Sequence, residues 1–185
     1  MRQLFNPFRY IAGFKALCFG AIFIIASALL LYSGSMVQDG YIHIGYADVP
    51  LWRTIATQVA WWIIPAIALY LCGIALSKSK IRLIDMLGTT AFAQLALLLM
   101  IVPMLLPAVQ NSTTELLVAL QAGTLPTTTI ALPLLLYGIW SIAGLALYYI
   151  WNYNAFATSC NLSGGRAIIP FVATQLLLTV LSALI

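Results

Sequence analysis

Apolar residues in this chain come in long runs instead of alternating or recurring as narrow stripes. The stretch "LCFGAIFIIASALLLY", from Leu17 to Tyr32, contains no charge and only two hydroxyls, at Ser27 and at its end, Tyr32. Runs of about 20 such residues are long enough to cross a hydrocarbon core of about 30 Å as helix. Five are present, and they predict spans over 13–32, 54–76, 86–106, 130–149 and 167–185. Lipid offers no partner to open backbone groups, and the runs lack the period of two that barrel strands need, so helix is the expected form. The predicted fold class is therefore all-α. It is a polytopic integral membrane protein, one domain over 1–185 built as a bundle of five transmembrane helices. Pro65 falls near the middle of the second span, where a missing donor should kink the helix, and Pro103 lies near the far end of the third.

Polar punctuation separates the runs. Residues 1–12 mix Leu4, Phe5, Phe8 and Tyr10 with Arg2 and Arg9, a pattern for a segment lying along the headgroups with aromatics down and arginines out. Asn6 before Pro7 marks a helix start there. The first long connection carries a turn signal at Asp39-Gly40, and Asp48 is placed to cap the second span and to pair with Arg53. The third connection carries Ser112 followed three residues later by Glu115, a capping-box pattern. With Leu116, Leu117 and Leu120 it predicts a short interfacial helix over 113–123, closed by Gly123. Asn111-Ser112-Thr113 also matches a glycosylation acceptor.

Composition supports lipid as the solvent. The chain is 63% hydrophobic and 6% charged, where soluble domains carry about 25% charged residues. Its net charge of +4 is not a nucleic-acid signal, because the cations sit at the ends of apolar runs. Arg2, Arg9 and Lys15 precede or open the first span, Lys78, Lys80 and Arg82 fill the second-to-third connection, and Arg166 stands before the fifth. With five spans all seven fall on one side, leaving Arg53 alone on the other. The positive-inside rule then places the N-terminus in the cytoplasm and the C-terminus outside. Lys78, Lys80 and Arg82 are expected to fix topology, with contact to anionic lipid as a second use. The first span, with Ser33, Gly34 and Ser35 after it, also has the outline of a signal peptide. Its long apolar body favours an uncleaved span. The expected location is a bacterial inner membrane, with an endoplasmic reticulum or Golgi membrane as the alternative.

Charged chemistry is missing from the predicted span centres, where ion paths and proton relays would need it. Asp85 and Lys15 fall near one interface, and Glu115 falls in a connection. The polar residues inside the spans are neutral: Gln58, Thr89, Thr90, Gln94, Ser141, Thr174 and Gln175. Thr90 and Gln94 share a helix face. Helix–helix hydrogen bonding is the expected use of this set, with a neutral polar path around Gln58, Thr90, Gln94 and Gln175 as the sharper alternative. His43 is the only histidine and is read as an exposed loop residue, since a catalytic metal site usually takes three protein ligands. Cys18, Cys72 and Cys160 are not paired by spacing and read as buried thiols, Cys160 within a connection. No metal or cofactor site is expected. In the fourth span Tyr137, Ser141, Gly144 and Tyr148 share one face, a pattern for close helix packing. Trp140 and Trp151 are placed off that face, and Trp151 joins Tyr148, Tyr149 and Tyr153 in an expected interfacial belt.

The arrangement resembles the Yip-one domain family (Ypt-interacting protein), particularly its short bacterial members. The likeness lies in the five-span plan with "NPFRYIAGF" before the first span and "LIDMLGTTAFAQLALLLMIVP" as the third. It also lies in "IWSIAGLALYYIWNYNAFATSCNLSGGRAIIPF", where a small-residue connection leads to a basic residue and the fifth span. Eukaryotic members act in the early secretory pathway with Rab-type GTPases. The acidic, aromatic and glycine–proline motif of their cytosolic region has no counterpart before Gly13, and "SKSKIR" replaces the glycine-rich form of the inner loop. The resemblance therefore implies the fold and a membrane role, and no GTPase-binding residue.

Three roles follow as expectations. The first is a non-enzymatic protein that organises or scaffolds membrane components, with lipids and a membrane-protein partner or second copy around it. The second is a transporter or channel for a small neutral solute. The third, an intramembrane enzyme using Asp85, Glu115 or His43, requires residues that the expected topology puts on opposite sides.

Overall fold

In a computed structural model the described residues are 6–77, 79–123 and 128–184. They form six α-helices: α1 (Gly13–Ser33), α2 (Leu51–Leu76), α3 (Leu83–Met104), α4 (Pro107–Gln121), α5 (Thr128–Cys160) and α6 (Gly165–Ala183). All but α4 are long and apolar enough to cross a membrane. The chain is an all-α, multi-pass membrane protein. The α1 start, the α2–α3 connection and the α5–α6 connection share one side, here the first side. The α1–α2 connection, α4 and the end of α6 share the second.

The bundle is organised around α3, which is more buried than any other span among the described residues. Its closest partner is α1, and small residues explain why. Ala16, Gly20, Ile24, Ser27, Ala28 and Leu31 recur every three or four residues and form the buried face of α1. A Cβ at Gly20 would overlap Ala91 and the backbone of Ala91 and Phe92. A Cβ at Gly88 would overlap the Gly13 carbonyl. Where lipid tails are as apolar as the side chains, such backbone approach supplies the dispersion that holds helices together. Phe8, on a 3-10 turn over Pro7–Arg9 that Asn6 precedes, is buried and stacks edge-on to Phe92, with centroids 6.0 Å apart. Part of the expected interfacial segment is thus docked in the core.

The connection after α1 is a β-hairpin, where the turn signal at Asp39-Gly40 alone predicts only a loop. Strand β1 (Met36–Gln38) pairs antiparallel with β2 (Ile44–Tyr46) in the register Met36↔Tyr46, Val37↔Gly45, Gln38↔Ile44. Gly45 has a local reason, because a Cβ there would stand 2.9 Å from an Asp39 carboxylate oxygen. Asp48 does not cap α2. Pro50 holds the cap position with an extended backbone, and its carbonyl takes the N–H groups of Arg53 and Thr54. Asp48 and Arg53 form no ion pair; the pair in this hairpin is His43 Nδ1 with Asp39 Oδ1 at 2.5 Å.

Other boundaries move for identifiable reasons. α2 runs unbroken through Pro65. α4 starts at Pro107, suited to a first helical turn, so Ser112 lies inside the helix and is buried instead of capping it. α5 continues eleven residues beyond Tyr149, because "IWNYNAFATSC" contains no breaker and its polar groups bond inward. Asn152 Nδ2 donates to the Tyr148 carbonyl at 2.9 Å, and Thr89 and Ser159 hydroxyls meet at 3.3 Å. The helix ends where Asn161 takes φ 51°, with Leu162 N–H bonded to the Ala157 carbonyl and Asn161 N–H to that of Thr158. This is a Schellman closure, and it makes Cys160 a buried helical residue, not a loop one. Cys18, expected to be buried, is exposed on α1.

Candidate functional site

Tyr41 connects the hairpin to the bundle. It is fully buried, and its hydroxyl donates to Gln175 Oε1 on α6. The Tyr148 hydroxyl, from α5, donates to the Tyr41 hydroxyl at 3.3 Å, with ring centroids 6.1 Å apart. Gln94 of α3 and Asn152 of α5 are also hydrogen-bonded to Tyr148. The hairpin holds Tyr41 in place through Gln38, whose Nε2 donates to the Tyr41 carbonyl at 2.8 Å. Counting from the first-side helix ends at about 1.5 Å per residue, Gln175, Gln94 and Tyr148 all stand at about 15–18 Å. That is the middle of a 30 Å hydrocarbon core. The hairpin, through two bonds, and three spans therefore bring neutral polar groups to one point at mid-depth.

The remaining members of the expected polar set stand apart from this point. Thr90 Oγ1 bonds back to the Met86 carbonyl at 2.8 Å and accepts from Trp62 Nε1 of α2 at 3.3 Å. It serves as a helix–helix bridge about 10 Å from the first side. Gln58 lies about 27 Å from that side, one turn after Thr54 on α2. Gln58, Thr90, Gln94 and Gln175 are all buried, and none faces lipid. Gln58 Nε2, Gln175 Nε2, Thr54 Oγ1 and Ser27 Oγ have no partner within the protein.

Burial raises the Tyr41 phenol well above its ordinary pKa, and nearby Tyr148 adds to the effect. The phenol is therefore neutral at physiological pH and acts as a hydrogen-bond group, not as a proton acceptor. Among the described residues no three His, Cys, Asp or Glu side chains are grouped to hold a metal ion. Asp85 lies in the first turn of α3 on the first side, where it favours the positive helix end. Glu115 on α4 and His43 on the hairpin lie on the second.

On α5, Gly144 faces Met100 of α3 so closely that a Cβ would overlap Met100 Cγ. Tyr137 packs beside Leu31, Met36, Ile101 and Met104. Tyr148 and Trp151 are buried in the main core, where Trp151 lies 5.9 Å from Phe92 between ring centroids. They do not form the expected interfacial belt. Ser141 Oγ is buried beside the Tyr137 phenol one turn earlier. Trp140 points to α3 and donates through Nε1 to the Leu99 carbonyl at 2.9 Å. Lys80 and Arg82 are exposed on the first side. Lys78 lies outside the described residues.

Sequence reading missed Tyr41, Asn152 and Trp140. The available signals were the alternation in "YIHIGY" and the position of Trp140 relative to Pro103. A scan against protein-family models finds no match, and comparisons with curated proteins and with solved structures find none either.

Proposed function

We propose that this chain is a non-enzymatic integral membrane protein that organises or scaffolds other membrane components, in the manner that its resemblance to Yip proteins implies. The observation that carries the reading is the use of the mid-depth polar groups. Tyr41, Tyr148, Gln94 and Gln175 bond to one another and lock the hairpin to three spans. That is the work of a rigid frame. α5 adds an outward apolar face, with Ile139, Ile142 and Leu135 each well over half exposed, on which a neighbouring span can pack. In this proposal the first side is cytoplasmic, because seven of the eight Lys and Arg residues gather there. The membrane is a bacterial inner membrane, and the partners are lipids together with a membrane protein or a second copy.

A photo-crosslinker at Ile142, used in native membranes, tests the reading. A constant crosslinked partner or a homo-oligomer is expected; monomers alone at every position along α5 would refute it. A reporter fused after Ile185 tests the orientation, and activity restricted to the cytosol would reverse it.

A second reading is favoured by the partnerless Gln58 Nε2 and Gln175 Nε2, which could serve a small neutral solute. Flux of urea or glycerol into proteoliposomes, abolished by Gln58→Leu, would establish it. Flux equal to protein-free vesicles would remove it.

A further inference from the structure

At the first side the ends of α2, α5 and α6 enclose two adjoining openings of about 590 and 360 Å³, which share Leu76 and Arg166. Their characters differ. One is bordered by Ser77, Ser79 and Asn161, the other by Gly165, Ile169 and Pro170. The polar half is firmly built. Ser77 Oγ donates to the Cys160 carbonyl at 2.7 Å, and the Ser79 hydroxyl lies 2.7 Å from that of Ser77. These bonds fasten the α2–α3 connection to the end of α5. Across the gap α6 begins at Gly165. Its first intrahelical bonds run from Ala167 and Ile168 to the Gly164 carbonyl, so the N–H groups of Gly165 and Arg166 have no intrahelical acceptor.

Charge and exposure select the occupant. Arg166, Lys80 and Arg82 are exposed on this side, and no acid lines the groove among the described residues. The apolar half is open to the hydrocarbon, with Ile169 71% and Leu76 49% exposed. A free anion would use only one half. A zwitterionic lipid would bring a cation with nothing to meet it. We propose that this two-part groove binds an anionic phospholipid, its phosphate held by Arg166 with Ser79 and Asn161, and its acyl chain lying along Leu76, Ile169 and Pro170. Lys80, next to Ser79, adds charge at the rim. The site goes beyond the organising role and does not depend on it. A protein that scaffolds nothing could still carry it.

The test uses the full chain, delipidated in detergent and titrated with phosphatidylglycerol or phosphatidylcholine of matched acyl chains, with native mass spectrometry as the readout. Phosphatidylglycerol is expected to bind more tightly than phosphatidylcholine. Arg166→Gln should weaken it by about fivefold or more, the scale of one basic residue near a membrane surface. Phosphatidylcholine binding should be unchanged by that substitution, and Arg166→Lys should retain most of the affinity. Excess inorganic phosphate should leave the lipid bound. Equal binding of the two lipids, wild-type phosphatidylglycerol affinity in Arg166→Gln, or complete displacement by phosphate would each overturn the proposal. Should Arg166→Gln fail to fold, Ser79→Ala supplies the same comparison, with a smaller expected loss.

Discussion

The indole nitrogen of Trp140 donates to the carbonyl oxygen of Leu99 at 2.9 Å, across from one helix to another. Leu99 stands four residues before Pro103, inside α3. That carbonyl would normally accept the N–H of residue 103, which proline lacks. In hydrocarbon an open carbonyl has no water to turn to. Trp140 therefore completes α3 from α5, and a break in one span becomes a tie between two. Trp140→Phe should destabilise the protein by about 1 kcal/mol. In a Pro103→Ala background, which restores the helical donor, the same substitution should cost almost nothing. Detergent melts of the four proteins give the coupling; additive losses would show that the bond does not compensate for the proline.

Gly20→Ala should separate α1 from α3. The new methyl would meet Ala91 and the backbone of Phe92, neither of which can swing away. Overpacking of this kind costs about 1–3 kcal/mol. Gly138→Ala is the matched control, since nothing lies within 4 Å of a Cβ there. It should be neutral or stabilising by up to about 1 kcal/mol. Thermal unfolding of the two variants, side by side, checks the contrast.

Tyr41→Phe removes the donor to Gln175 Oε1 and leaves that side chain wholly without protein partners. A cost of about 1–3 kcal/mol is expected. Adding Gln175→Leu should return part of it, because an apolar pair leaves nothing unsatisfied. Protease sensitivity of the hairpin, measured alongside the melt, should rise in the single variant and fall back in the double.

The pH dependence linked to Tyr41 has a definite sign. Its folded pKa is raised by burial above the ordinary tyrosine value of about 10, so the folded state holds the proton more tightly than the unfolded one. The contribution is fully present below pH 10 and declines as pH rises through the folded pKa. Stability in detergent should therefore show no Tyr41-linked change between pH 6 and 9 and fall above about 10. Phenolate absorbance should report a tyrosine that ionises later than the exposed ones, and Tyr41→Phe should remove its contribution.

Gln58→Leu distinguishes a dry core from an occupied one. Its Nε2 is buried with no protein partner. In a dry setting, replacing the amide with an apolar side chain of similar size should stabilise by about 1 kcal/mol. A loss of similar size would mean that the amide holds a water or solute, as the transport reading requires. Melts of the purified variant decide between the two.

The spans were legible because lipid makes hydrophobicity nearly sufficient: 13–32 lies within one residue of α1. The end of α5 was not, because Asn152 and Ser159 look like loop residues until their bonds to the Tyr148 carbonyl and the Thr89 hydroxyl are seen. The capping pattern at Ser112 and Glu115 was overridden by Pro107, a stronger start signal five residues earlier. The mid-depth site was half legible. Gln94 and Gln175 stand out as polar residues in apolar runs, but Tyr41 does not. It reads as a loop tyrosine, and only the hairpin register turns it into the bundle. The bond made by Trp140 was hidden for a related reason, since helical periodicity alone gives no view of the neighbour that needs its N–H.

The bond between Tyr41 and Gln175 spans 134 positions. A ribosome adding about 5–20 residues per second takes roughly 7–27 s to cover that distance. Throughout that interval the hairpin has been made and its last partner has not. Final locking must therefore await synthesis of α6, so a nascent chain stalled before it would be held together by its early helices but unfinished at the hairpin. For quality-control proteases, that unlatched hairpin would distinguish an incomplete molecule from a finished one.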